Sequence, residues 1–337
     1  MFDGLVEILT PFYVSGWAAG DENGPTNLIA ECNGRILGAA RASIWRSDLG
    51  SQPSPCAGFH IDFTSDVAPW ELPAIRVSRS SGADTLGLAV QAQFDDRAAT
   101  QVFILGSPRS GTSELAETLA ANLDLPWSGE GHAAPALAGA AAALLIDPED
   151  NSSLVCALAE ENLPATLRTT TRRVYFSAHG SVSFLDKTPG EAMIRAAPFL
   201  QTCFPDARFI FLRRNGIANV LSRRQKFGGD FADHCKDWAA CMEAWEDVVP
   251  ELTHSLEIEQ ERMLEEPYLV ARIVCDFLVR QEASIAVSEA LRLGRRERTG
   301  AGIGKTTLAD TDWPDHEISQ FRTYCGSVME HWGYAMG

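Results

Sequence analysis

The sequence has no hydrophobic run long enough to cross a membrane. It contains no stretch of about 18 apolar residues, and no basic segment precedes an apolar one at the N-terminus. Neither a membrane span nor a signal peptide is therefore indicated. The eight cysteines are scattered, without a C-x-x-C pair or metal-ligand spacing, which disfavours a disulfide framework or a zinc site. A cytoplasmic location fits these absences best.

Positive charge is also scarce. The chain has 28 Lys and Arg against 45 Asp and Glu, a formal net charge of −17. Because binding to a nucleic-acid backbone needs a basic face that releases counterions, this balance argues against a nucleic-acid partner. A heavily anionic polymer is an awkward ligand for the same reason. The 337 residues, 45% of them hydrophobic, suffice for two globular domains.

Residues 101–114 carry the most informative pattern. The apolar run 102–105 predicts a buried strand, and Gly106 and Gly111 bracket a tight turn. An amphipathic helix is predicted from Thr112 onward. Such a turn directs backbone N–H groups and a helix N-terminus at an anion. Thr112 stands where nucleoside triphosphatases have a lysine, and the cation of this loop is Arg109. The alternative is a plain turn without a ligand.

A second basic element follows a second apolar strand. Residues 207–212 are followed by Arg213 and Arg214, where a P-loop ATPase would have an Asp for Mg²⁺. Ser222 comes eight positions after Arg214, on a predicted helix. The planar fork of an arginine suits a phosphate dianion, and a serine hydroxyl adds one donor. The alternative is a surface cation and an unrelated helix-face hydroxyl.

Together these elements resemble the sulfotransferases that use 3′-phosphoadenosine 5′-phosphosulfate (PAPS). Residues 108–113, Pro-Arg-Ser-Gly-Thr-Ser, are similar to their 5′-phosphosulfate loop, especially in the tyrosylprotein type and its bacterial relatives. The Arg and Ser after the second strand resemble their 3′-phosphate motif, with Gly216 where that motif often has Pro. The resemblance implies an α/β fold, a P-loop parallel-sheet sulfotransferase domain, with PAPS as donor co-substrate. The implied donor-binding residues are Arg109, Ser110, Gly111, Thr112, Ser113, Arg214, Ser222 and, one helical turn further, Lys226.

Two residues between these elements are the candidates for chemistry. Sulfuryl transfer to a hydroxyl needs a base for the hydroxyl proton and a cation for the departing nucleotide oxygen. Glu130 lies 21 residues after Arg109, where the resemblance implies the base, and His132 is its nearest competitor. Lys187, in Lys-Thr-Pro, resembles the family's lysine motif and is assigned to the leaving-group side. The alternatives are that Glu130 is a solvated acid and that Lys187 is an exposed loop lysine, each without a catalytic role. No metal is expected.

The pattern of the chain changes near residue 98. Residues 1–98 are short β-rich stretches cut by turns, which predict a small all-β, β-sandwich-like accessory domain. From 99 to 337, strands alternate with helices, as a parallel sheet requires. Later helices are predicted at 133–146, 154–163, 231–249, 268–280 and 317–331, with a strand at 253–259.

Two further segments remain without a role. Residues 295–302 only loosely match the family's basic C-terminal lid. Residues 302–307 look like the end of a nucleotide loop, but Thr299 stands where the spacing needs a Gly. Residues 16–25 and 46–49 resemble an accessory β-domain of bacterial glycan-modifying enzymes, and the alternative is a domain that only buries the transferase flank.

The sequence therefore predicts a PAPS-dependent sulfotransferase acting on a hydroxyl of a glycan or small metabolite. Three alternatives stay open. A protein-tyrosine sulfotransferase is closest in motif, and a P-loop kinase, which would need ATP and Mg²⁺, shares the strand, loop and helix. The third is a nucleotide-binding protein without catalysis. The oligomeric state and the identity of the sulfuryl acceptor are open as well.

Overall fold

The computed structural model describes residues 4–20, 24–46, 56–65, 67, 69–80, 85–88, 100–144, 163–179, 183–294 and 307–337. Most of the predicted helix 154–163 lies outside the described residues, as do the segments 295–302 and 302–307 apart from Thr307. The chain divides into two compact units, residues 1–99 with 147–173, and residues 100–146 with 174–337. The domain limits 1–98 and 99–337 stay a prediction.

The first unit is built from two small sheets. Its strands are β1 (Gly4–Leu9), β2 (Tyr13–Ala19), β3 (Asn27–Cys32), β4 (Arg35–Arg41), β5 (Cys56–Asp62), β6 (Ile75–Arg79) and β7 (Gly87–Leu88). One sheet has the order β5-β2-β1-β7 and the other β4-β3-β6. All pairs are antiparallel except β1 with β7. The predicted all-β N-terminal region is thus confirmed.

Buried residues alternate with more exposed ones along the strands, and the buried residues form the core of this unit. Val14 and Phe59 from one sheet, and Leu28 and Val77 from the other, are buried in the same hydrophobic cluster. The turn between β3 and β4 is the two-residue Asn33-Gly34, in which both φ angles are positive, 49° and 82°. Asn-Gly is favoured in such a hairpin because both residues tolerate the left-handed region.

The second unit contains a parallel sheet. Its strands are β8 (Gln101–Gly106), β9 (Phe184–Lys187), β10 (Arg208–Arg213) and β11 (Ser255–Glu259), in the order β11-β10-β8-β9. All three pairings are parallel. Every residue of β8 is buried, as is typical of a central strand covered on both faces. Because the strands are parallel, the residues that follow β8, β9 and β10 meet at one edge of the sheet.

Helices cover both faces of this sheet. They are α1 (Thr112–Leu123), α2 (Ala133–Leu144), α3 (Leu163–His179), α4 (Glu191–Arg195), α5 (Ala197–Cys203), α6 (Gly216–Phe227), α7 (Phe231–Val248), α8 (Gln260–Glu265), α9 (Pro267–Phe277), α10 (Ser284–Leu293) and α11 (Asp315–His331). Phe103 and Phe209 face one core cluster, with Trp238 of α7, whereas Ile104 and Ile210 face the other. None of the described helices is long and apolar enough to span a bilayer.

Candidate active site

The loop after β8 has a backbone that few residues could adopt. Gly106 has φ of 149°, and a Cβ added there would lie 2.5 Å from the carbonyl oxygen of Leu212. Arg109 and Gly111 have φ of 76° and 87°, both in the left-handed region. α1 begins directly after Gly111, at Thr112. The first-turn N–H groups of a helix have no partner within it, so this loop and helix can bind an anion.

Asn219 of α6 holds the loop in shape. It is fully buried, and its Nδ2 donates to the carbonyl oxygen of Pro108 at 3.0 Å and to Ser110 Oγ at 3.1 Å. Ser107 Oγ donates to Asn219 Oδ1 at 3.4 Å. The predicted ligand Ser110 is itself fully buried. Sequence reasoning missed Asn219; the signal was an amide one helical turn before Ser222 on the same helix.

The structure brings together three of the predicted donor-binding residues. Arg214 is only 8% exposed, and its NH1 donates to the carbonyl oxygen of Arg109 at 2.9 Å. Arg109 Nε donates to Ser222 Oγ at 3.1 Å. Burial lowers the pKa of the Arg214 guanidinium, attraction to Glu261 opposes that effect, and repulsion from Arg109 adds to it. Lys226 is exposed near the end of α6.

The two predicted catalytic residues contact each other. Lys187, at the end of the edge strand β9, donates from Nζ to Glu130 Oε1 at 2.5 Å. The Lys187 side chain is 6% exposed and that of Glu130 is 39% exposed. His132 Nε2 lies 3.2 Å from Glu130 Oε2, so the competing base belongs to the same cluster. The Lys187 ammonium also lies 5.8 Å from the centre of the Trp127 ring.

A buried carboxylate joins the Glu130 loop to the end of β9. Thr188 Oγ1 donates to Asp186 Oδ1 at 2.7 Å and accepts from the Gly131 N–H at 2.8 Å. Burial raises the pKa of Asp186 to about 6, although the hydrogen bond from Thr188 opposes this rise. A Cβ on Gly131 would lie 2.1 Å from Asp186 Oδ2, so only glycine fits there. Sequence reasoning assigned no role to Asp186.

A cavity of about 270 Å³ opens next to these groups. Its lining residues are Pro108, His132, Pro135, Thr188, Pro189, Gly190, Glu191, Ala192, Met193, Arg223, Asp237 and Cys241. Arg223 is 5% exposed; its NH1 donates to Ser107 Oγ at 3.2 Å and its NH2 to Asp237 Oδ2 at 2.5 Å. Arg223 is therefore part of the cavity wall and not a solvated surface cation.

Two neighbouring arginines have structural partners instead. Arg213 lies 3.3 Å from Glu259 and donates to the Tyr334 hydroxyl at 3.0 Å. Arg224 pairs with Glu317 at 2.7 Å. Among the residues that the structure describes, no group of three or more His, Cys, Asp or Glu side chains is placed to hold a metal ion.

Comparison with known proteins gave one family match and several distant structural similarities. A sequence model of the sulfotransferase family matches residues 101–281 of the 337. The sulfotransferase domain of the Synechococcus PCC 7002 olefin synthase is 19% identical, with a TM-score of 0.42 over 72% of this chain and 98% of that one. Sulfotransferase STF9 from Mycobacterium avium is 12% identical, with a TM-score of 0.42 over 71% and 78%. A sugar kinase from Janibacter sp. HTCC2649 is 17% identical, with a TM-score of 0.32 over 55% and 98%. No curated protein matches the chain.

Proposed function

The chain belongs to the sulfotransferase family, and we propose on that premise that it transfers a sulfuryl group from PAPS to a hydroxyl of a glycan or small metabolite. The observation that carries the proposal is the contact between the loop after β8 and the arginine after β10. Each element is suited to one anionic group, and the bond from Arg109 to Ser222 links them. PAPS carries anionic groups at both ends of its adenosine, so one donor can occupy both elements.

The partners of Arg214 support its assignment to the 3′-phosphate. Its Nε has no hydrogen-bond partner among the described residues, although the side chain is buried. A buried guanidinium with an unused donor is suited to a phosphate oxygen. The donor-binding residues that we propose are Arg109, Ser110, Gly111, Thr112, Ser113, Arg214, Ser222 and Lys226.

We assign the chemistry to Glu130 and Lys187. Glu130 takes the proton from the hydroxyl, whose oxygen forms a bond to sulfur while the bond from sulfur to the bridging phosphate oxygen breaks. The electron pair of that bond leaves with adenosine 3′,5′-bisphosphate, and Lys187 and Arg109 stabilise the resulting charge. The 2.5 Å contact between Glu130 and Lys187 supports assigning both to one reaction centre. Because cations already serve the leaving group, the proposal includes no metal.

The proposal extends to the whole chain. Residues 99–337 form the catalytic domain, and residues 1–98 are an accessory domain. We propose a cytoplasmic location, because none of the buried cysteines in the described part of the chain forms a disulfide; they are Cys32, Cys203, Cys235, Cys241, Cys275 and Cys325.

Donor binding and turnover test the proposal separately. Calorimetry with adenosine 3′,5′-bisphosphate in dilute buffer should show binding, and Arg214→Ala should weaken it about 10- to 100-fold, as expected for loss of a charge-assisted hydrogen bond. Arg224→Ala is the matched control, since this arginine pairs with Glu317. Unchanged affinity in Arg214→Ala would refute the 3′-phosphate role. Binding of ATP with Mg²⁺, but not of the bisphosphate, would favour the kinase.

The assignment of the base is tested with labelled PAPS. Glu130→Gln should lower turnover about 100-fold or more while the affinity for adenosine 3′,5′-bisphosphate stays unchanged. His132→Asn is the matched variant, because this imidazole contacts the same carboxylate. Normal turnover in Glu130→Gln with a large loss in His132→Asn would move the role of base to the histidine. Donor binding without transfer to any hydroxyl would indicate a non-catalytic protein.

A further inference from the structure

The cavity lies next to both halves of the proposed reaction. Pro108 belongs to the loop proposed for the donor, Thr188 follows Lys187, and His132 lies two residues after Glu130; all three line the cavity. A molecule bound there is therefore within the neighbourhood of the proposed base and the donor loop.

The volume of the cavity limits its occupant. At about 30 Å³ per water molecule in the liquid, 270 Å³ corresponds to about nine waters. This is the size of a single sugar ring, and it is smaller than the range of roughly 300–1,000 Å³ that holds drug-sized ligands. One terminal ring of a glycan fits within it, and the rest of a larger acceptor would extend into solvent.

The charges around the cavity are paired. Asp237 Oδ2 accepts from Arg223 at 2.5 Å, and Glu191 Oε1 accepts from Arg195 at 2.8 Å. Both carboxylates line the cavity together with the Arg223 guanidinium. An anionic ligand would face two carboxylates and would compete with Asp237 for its arginine. Hydroxyl groups both donate and accept, so a neutral polyol can bind without breaking either ion pair.

The Arg223–Asp237 pair has capacity left for a ligand. The Asp237 side chain is 60% exposed, so its oxygens can accept further hydrogen bonds. The remaining wall includes Pro135, Pro189 and Met193, which offer apolar contact to the C–H groups of a ring.

We propose that this cavity is the site of the sulfuryl acceptor and that it holds one neutral polyhydroxylated ring, a sugar residue or a cyclitol. The Arg223–Asp237 pair binds hydroxyls of the ring, and another hydroxyl loses its proton to Glu130 as its oxygen bonds to sulfur. This inference rests on the proposed function, because it names the acceptor class of the same reaction.

The first experiment compares acceptors with labelled PAPS. The panel contains neutral methyl glycosides and cyclitols, the corresponding uronic acids, and simple phenols. We expect transfer to at least one neutral ring, with the matching uronic acid at least tenfold poorer in kcat/KM because its carboxylate meets Asp237 and Glu191. Transfer only to phenols or uronic acids, or to no member of the panel, would overturn the inference.

The second experiment changes the cavity wall. Asp237→Asn should raise the KM for the neutral acceptor about tenfold and leave the affinity for adenosine 3′,5′-bisphosphate unchanged. Asp247→Asn is the matched control, since Asp247 lies on the same helix, is 64% exposed and pairs with Arg195. Ala192→Phe, at an exposed position of α4, should fill the cavity and raise the same KM.

The outcomes separate this inference from the proposed function. If the wild-type protein binds the bisphosphate and transfers sulfate, but neither Asp237→Asn nor Ala192→Phe changes the KM for the neutral ring, the acceptor site lies elsewhere and only this inference fails. If adenosine 3′,5′-bisphosphate does not bind, the proposed function itself fails.

Discussion

The effect of Asp186 on the stability of the folded protein can be tested without knowing the substrate. Its carboxyl group is 1% exposed, and burial raises its pKa from the usual 3.8 to about 6. At 1.36 kcal/mol per pKa unit, that difference corresponds to about 3 kcal/mol. We therefore expect ionised Asp186 to cost the folded protein about 3 kcal/mol at neutral pH. Replacing it with Asn, which has nearly the same shape and no charge, should remove this cost.

The sign of the pH dependence follows from proton linkage. Because the folded-state pKa lies above the unfolded value, the folded protein holds the proton more tightly between pH 3.8 and about 6. The contribution of protonated Asp186 to stability is complete below pH 3.8 and is lost as the pH rises through 6. The Asp186→Asn variant has no carboxyl group at this position and does not lose this stability as the pH rises. It should gain up to about 3 kcal/mol relative to the wild type between pH 4 and pH 7.

Urea denaturation followed by tryptophan fluorescence measures this difference. The free energy of unfolding is determined for the wild type and for Asp186→Asn at several pH values between 4 and 8. Asp247→Asn is the control, because its carboxylate is 64% exposed and should show only a small pH-dependent difference. A difference between Asp186→Asn and the wild type that stays constant with pH would refute the raised pKa. A variant that loses stability relative to the wild type as the pH rises would refute it as well.

Two further changes test the backbone of α9 and the loop after β8. Val279 is 57% exposed and follows α9 with φ of 57°, a left-handed conformation that strains a β-branched residue. Val279→Gly should therefore raise the free energy of unfolding by about 1 kcal/mol, and Val279→Ala should raise it less. Equal effects of the two variants would show that the backbone at this position is not strained. Asn219→Ala leaves Pro108 and Ser110 without their buried donor and should lower the same quantity by about 1–3 kcal/mol. Asn122→Ala, which removes a hydrogen bond within α1, should cost less.

Much of the fold could be predicted because local patterns coincide with tertiary roles. The apolar run 102–105 lies within β8, and the helix predicted at 231–249 is observed as α7. Asp230 caps that helix by accepting from the N–H groups of Ala232 and Asp233 at 2.8 and 3.2 Å. The predicted strand 253–259 is β11, shortened to Ser255–Glu259. The sulfotransferase family itself could be named because the two motifs that carry the resemblance, residues 108–113 and Arg214 with Ser222, are short and local in sequence.

The features that sequence reasoning missed depend on distant contacts. Glu130 and Lys187 are 57 residues apart, and their contact depends on β9 pairing with β8 so that Lys187 lies opposite Ile104. No local pattern encodes that register. Asp186 was not predicted as a site residue because, in the sequence, it is simply the polar residue before Lys187 and belongs to no motif. The helix α3 was also missed, since its Thr169–Thr171 run favours extended structure.

The net charge of −17 does not conflict with a donor that carries several negative charges. Exposed cations of the second unit, such as Arg262 and Arg292, pair with neighbouring carboxylates and contribute little field beyond their own helices. Arg109 donates to a hydroxyl and Arg214 to a carbonyl oxygen, and Glu261 attracts the Arg214 guanidinium. Salt screens exposed charges within about 8 Å at physiological ionic strength, and it screens partly buried ones much less. A buried arginine and a partly buried one can therefore hold an anion at one edge of a sheet in an acidic protein.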